Sequence, residues 1–222
     1  RFDNWQQQHS MEEAAAILYE AGDRGTRIHA AICHAILHGR LDFNESYSFL
    51  EGRPFSPREI TQLESFSAFW KTLKPKTLKI EQPVINTGLG YGGTADFLGV
   101  VDEGALLSFN ARKKDNGLEF SGKPTTILWD WKSGNNIYDS HKMQVAAYAN
   151  ELQPEYYGLV QLGTKNGNGF KLWFAKRSDL LEPHFEAFKH CLGLFNIYHG
   201  KEKPEILNLK SSISIGDIGL PE

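Results

Sequence analysis

The stretch "TTILWDWKSG", residues 125–134, sets an acid and an amine among tryptophans. Side chains alternate along a strand, so Ile127, Trp129 and Trp131 share one face while Leu128, Asp130 and Lys132 share the other. Asp130 and Lys132 then stand about 6.5–7 Å apart along the chain. That pairing admits two readings, an ion pair or half of a catalytic site. In "YGGTADFLG" the same alternation puts Thr94, Asp96 and Leu98 on one face. An acid among small and apolar neighbours is costly unless it is paired or binds a cation. If a meander brings the two strands together, Asp96 meets Asp130. Two carboxylates in one cleft repel, and a divalent cation both removes that conflict and supplies a Lewis acid. Metal binding is the simplest common explanation, set against the plainer reading of each Asp as a strand-end residue facing water.

Two helical segments carry further polar groups. His29 lies in "GDRGTRIHAAICHAILHG", four residues after Gly25, and reads either as a ligand or as an ordinary helix histidine. His34 and His38 are also four apart, but no Glu follows His34 as a metalloprotease helix requires. In "HKMQVAAYANEL" Gln144 and Tyr148 project from the same helix face. Together they offer an amide and a phenol to a phosphate, a base or the catalytic strand, or simply to water.

The elements that must position these groups follow from periodicity. Residues 11–38 are helical in pattern, with a break expected near "AGDRGT", and a second helix is expected from Ser56 to Leu73 with Pro57 in its first turn. The period then changes to two. "LKIEQPVIN", "YGGTADFLGVV", "ALLSFN" and "TTILWDWK" read as strands of an antiparallel meander, with "DEG" as a turn and Asp115-Asn116-Gly117 in a loop. "SHKMQVAAYANEL" is a helix, "YYGLVQLG" and "GFKLWFAK" a hairpin, and "DLLEPHFEAFKHCLGLFNIYH" a closing helix that a kink at Pro183 would bend. The fold class is therefore α/β in the mixed α+β sense: a central mixed sheet containing an antiparallel meander, flanked by helices. One domain is expected over residues 1–205, with 206–222 as a tail.

Composition narrows the function. With 41% hydrophobic and 23% charged residues in 222, the chain suits a globular domain, and no apolar run is long enough to span a membrane. The two cysteines, Cys33 and Cys191, support neither a disulfide framework nor a metal cage, so a reducing, cytosol-like compartment is expected. An organelle stays open, because trimming at the N-terminus would hide a targeting segment. A net charge of −3 excludes a uniformly basic nucleic-acid binder, yet the lysines cluster in "KTLKPKTLK" and "ARKK", as solvated surface or as phosphate grips.

The ordered set of Gly25 to His29, Gly93 to Asp96, Asp130-Trp131-Lys132 and Gln144 to Tyr148 resembles the PD-(D/E)XK nuclease superfamily, and the histidine with the Gln/Tyr helix resembles its RecB-type exonuclease branch. The resemblance implies a restriction-endonuclease-like core with Asp96, Asp130, His29 and the Trp131 carbonyl at Mg2+ or Mn2+. It implies Lys132 activating water, with Gln144 and Tyr148 positioning substrate or lysine. Glu81, in "KIEQPV", resembles an acid that many members carry on the preceding strand. Phosphate grip falls to Arg24, Arg27, Lys74, Lys76, Lys113 and Lys114, with Tyr91, Trp131 and Tyr138 as candidates for base stacking or for packing. With only two cysteines no iron-sulfur cluster is implied, and with no P-loop no nucleotide cofactor. The implied substrate is DNA, single-stranded or with free ends, in replication, recombination or repair. A structure- or sequence-specific endonuclease and an inactive nucleic-acid-binding scaffold are the alternatives.

Overall fold

A computed structural model describes residues 10–109 and 121–199. The first helix, α1, is Met11–His38, followed by a 3₁₀ turn at Ser48–Leu50 and by α2, Pro57–Leu73. Strands β1, Lys76–Asn86, and β2, Tyr91–Asp102, lead to a short helix α3, Glu103–Ser108, and then to β3, Pro124–Lys132. Helix α4, Asp139–Leu152, precedes β4, Tyr156–Leu162, and β5, Phe170–Lys176; α5 is Arg177–His199.

The five strands form one mixed sheet in the order β1-β2-β3-β4-β5. Every neighbouring pair is antiparallel except β3 and β4, which run parallel from Ile127 opposite Tyr156 to Lys132 opposite Gln161. A parallel pair cannot be joined by a tight turn, and α4 supplies the crossover. One face of the sheet buries Phe97, Ile127, Trp129 and Trp131 with Ile28 and Ile32 of α1 and Leu63, Phe66 and Phe69 of α2. On the other, Val84, Leu128, Tyr157 and Leu159 pack with Val145, Tyr148 and Ala149 of α4. The alternation expected of residues 125–132 is what divides these two layers.

Three local expectations differ. Helix α1 runs through "AGDRGT" without a break: a capping box of Ser10 and Glu13 starts it, and Gly39, left-handed at φ 72°, ends it. Two glycines in the interior weaken a helix by propensity, but packing of Ile28, Ala31 and Ile32 into the core outweighs that. The described part of "ALLSFN", residues 105–109, is not a strand, because Asp102 accepts from the backbone N–H of Ala105 and caps α3 instead. Ala105 and Leu106 are both buried, a helical and not a two-residue pattern. The loop at residues 115–117 lies outside the described residues.

Compact packing divides the chain between Phe188 and Lys189, inside α5. In the second unit the described residues are the end of that helix, where the Phe195 and His199 rings stand 4.7 Å apart. The tail expected at 206–222 lies outside the described residues. Among the described residues, no helix is long and apolar enough to cross a membrane.

Candidate active site

Asp96 sits where β2 and β3 part. Their pairing stops at Phe97 opposite Trp129, so continuing the register would set Asp96 against Asp130. Instead the Asp96 carboxylate turns into the gap and accepts from the Trp131 backbone N–H at 2.7 Å. Ala95 packs in the α4-side layer and Phe97 in the α1-side layer, although regular alternation would put both on one face. The slip centres on Asp96, which is 5% exposed.

Helix α1 brings His29 to the same point. Its Nδ1 is 3.2 Å from Asp96 Oδ1, and its Nε2 is 3.0 Å from the Trp131 carbonyl oxygen. Burial lowers the His29 pKa, but the hydrogen bond and the charge of Asp96, reinforced by Asp130, raise it overall. Three of the four segments singled out in the sequence thus meet, with the Trp131 carbonyl beside His29.

Asp130 and Lys132 share a face and form an ion pair, Lys132 Nζ standing 2.6 Å from Asp130 Oδ2. At that distance the ammonium compensates the buried Oδ2 directly. Asp130 is 3% exposed; burial and the neighbouring Asp96 charge push its pKa up, against the pull of Lys132 and His29. On α4, Gln144 Oε1 accepts from Lys132 Nζ at 3.0 Å while Gln144 Nε2 donates to the Tyr148 hydroxyl at 3.1 Å. The relay from Tyr148 through Gln144 to the lysine rests on the one-turn spacing of the two helix residues. Gly93 abuts it: a Cβ there would come within 2.5 Å of the Tyr148 hydroxyl oxygen.

Glu81 carries more of the site than its sequence signal conveys. It falls opposite Asp96, between the pairs Ile80–Phe97 and Gln82–Ala95, and its backbone is left-handed at φ 47°. Among the described residues the other non-glycine ones at positive φ, Glu51, Lys74 and Gln153, are helix C-caps, where that conformation closes a helix. Inside a strand it is strain of the kind that gathers at functional sites. His29, Glu81 and Asp96 offer ligand atoms all within 4.8 Å of one another, the one such grouping found among the described residues. Burial and Asp96 push the Glu81 pKa up, with His29 opposing. Asp130 stands outside that trio, beside Asp96. The rings of His34 and His38 stand 4.3 Å apart, tilted by 38°, and His34 also meets Tyr47 edge-on.

The expected phosphate grips fare unevenly. Arg27 is buried at 3% exposure: it pairs with Glu59 and donates to the carbonyls of Leu50, Arg53 and Pro54, so it is not a surface contact for nucleic acid. One turn before the buried Ala31, it belongs to the inward face of α1. Lys74 and Lys76 are exposed, but Lys76 pairs with Val100, four residues along β2 from Asp96. Arg24 lies in α1 near Glu20, with a buried Nε that lacks a partner. Lys113 and Lys114 fall outside the described residues. Of the stacking candidates, Trp131 is core and Tyr91 bonds Glu151 and the Ala147 carbonyl, while Tyr138 is 56% exposed.

No family model matches the sequence, and a search of curated proteins returns no relative. Among solved structures the chain is similar to one described as SSO0001, at 18% identity and a TM-score of 0.33, over 80% of this chain and 74% of that one. A likeness at that score carries no argument about activity.

Proposed function

We propose that this chain is a metal-dependent nuclease of the PD-(D/E)XK superfamily, an exonuclease that hydrolyses phosphodiester bonds of DNA with free ends. The observation that carries the reading is one cluster in which His29, Glu81 and Asp96 converge on one point while the buried Asp130 carboxylate crowds Asp96 beside them. The fit to a cation is chemical. Three carboxylates are hard oxygen donors that suit Mg2+ or Mn2+, one imidazole stands beside them, and the crowding of Asp96 and Asp130 is a cost that such an ion offsets. When bound, the ion supplies Lewis-acid charge to a phosphoryl oxygen and acidifies water.

The chain's own groups do the rest. His29, Glu81, Asp96 and Asp130 would hold the ion, with the Trp131 carbonyl as a further oxygen. Lys132 carries its ammonium at the edge of that charge, placed to orient water and to neutralise the phosphorane-like charge that develops on phosphate. Gln144, accepting from the ammonium, fixes its direction, and Tyr148 fixes Gln144 in turn. Both are positioning residues for Lys132.

The test is Mg2+-dependent digestion of end-labelled single and double strands by wild type and Lys132→Ala. Removal of a group in this role lowers turnover by about 10²–10⁴-fold. Equal digestion by the two proteins overturns the assignment. Circular single-stranded DNA separates an exonuclease, which leaves it intact, from an endonuclease built on the same site.

A further inference from the structure

Immediately beyond Lys132 the chain enters a polar cleft of about 690 Å³. Ser133, Gly134, Asn135 and Asn136 form one wall, Arg58 and Gln62 of α2 another, and Lys165 and Lys171, at the β4–β5 hairpin, a third. None of the residues lining it is acidic, in a chain whose net charge is −3. The cleft also opens beside the C-terminal ends of the parallel pair β3 and β4, the place where open α/β sheets take ligands.

The wall is built, not incidental. Gln62, 2% exposed, donates to the Ser133 carbonyl at 2.6 Å, and Gln161, 6% exposed, donates to the Gly134 carbonyl at 3.1 Å. These two buried amides clamp the turn that follows the lysine. Gln62 Oε1 is left buried without a partner on the cleft wall, an acceptor with nothing to accept. Arg58 donates to Asn135 Oδ1 at 2.8 Å, which holds its guanidinium over the turn without neutralising it. Arg24 lies close enough to feel the Arg58 charge, and its buried Nε is a second unused polar group nearby.

Unneutralised cations with amide donors match a sugar–phosphate backbone. We infer that this cleft grips the phosphates of the nucleic-acid strand next to the scissile bond, through Arg58, Lys165 and Lys171. The inference rests on the nuclease reading for its place relative to the cut, and it moves the grip away from the lysines of residues 71–79.

Binding of a fluorescein-labelled 20-nucleotide oligo-dT by the full chain, read by anisotropy in EDTA over a range of salt, tests it. Each phosphate contact to a single strand adds about 0.7 to the slope of log K against log salt. Lys165→Ala/Lys171→Ala should lower the slope by about 1.4 and weaken binding about tenfold at moderate salt. Lys165→Arg/Lys171→Arg should keep the slope, which separates charge from loss of fold, and Lys74→Ala/Lys76→Ala should leave it unchanged. A wild-type slope in the double alanine variant overturns the cleft. If that slope is wild-type while digestion still depends on Lys132, the cleft alone fails. If the slope falls while digestion is indifferent to Lys132, the cleft stands and the nuclease reading fails.

Discussion

Two buried charge clusters sit within one domain and are built on opposite principles. At the start of α2, Glu59 is fully buried, accepts from the Ser56 backbone and hydroxyl, and pairs with Arg27 at 2.8 Å; Arg27 spends its remaining donors on three carbonyls. At the end of β3, Asp130 pairs with Lys132 but crowds the like charge of Asp96, beside a strained Glu81. A buried ionic group with every partner in place belongs to the scaffold. One in which like charges are crowded together is a candidate for function.

That contrast predicts different responses to substitution. Arg27→Met should cost the most, about 3–5 kcal/mol, because it takes the nearer of two arginines from the buried Glu59 carboxylate and leaves only Arg53, at 3.5 Å. Chemical denaturation measures it, and a loss below 1 kcal/mol would erase the distinction. The same pair should show in the acid limb of stability. Burial works against ionised Glu59, but the Ser56 bonds and Arg27 together hold its folded pKa below the unfolded value. Its contribution is therefore complete above the unfolded pKa, near 4.3, and is lost as pH falls from there through the folded value. A Glu59→Gln variant should show a shallower acid limb than wild type.

Asp130→Asn should behave in the opposite way. It removes the repulsion with Asp96 and leaves Lys132 to Gln144 and to water, so metal-free stability should move by no more than about 1 kcal/mol, a shift in Tm of about 2–4 °C. Mn2+ binding, followed by calorimetry, should nevertheless be lost. Retained binding would place the ion elsewhere. Smallest in stability is Glu81→Gly, which relieves a left-handed conformation worth roughly 1 kcal/mol, partly offset by the freedom glycine gains when unfolded. Its Tm should hold or rise while Mn2+ affinity falls, and a drop in Tm would show that Glu81 is scaffold.

The two clusters also differ in how far the sequence exposes them. Alternation placed Asp130 with Lys132, and helical spacing placed Gln144 with Tyr148, because each relation is set within one element. The convergence of His29 on Asp96 needed two layers to meet and was available only through the ordered pattern of motifs. Arg27 misled for a related reason: an arginine beside a candidate ligand looks like a phosphate contact, and only the return of the chain at residues 50–59 reveals that its donors are taken. Glu81 depends on one backbone angle that no composition encodes. The cleft beyond Lys132 is assembled from α2, the turn after β3 and the β4–β5 hairpin, so no single stretch of sequence carries its pattern. Helix α3 was hidden by a capping aspartate that also reads as part of a turn.

Gly93 has no side chain to offer a reaction, yet the space its missing methyl leaves is occupied by the phenol of α4. An alanine there would nudge the aromatic ring, then the amide, then the amine, so that a residue without any functional group governs where a proton-bearing nitrogen points. In this molecule an emptiness on one strand tunes the aim of a cation on another, and a survey of reactive side chains alone would pass it by.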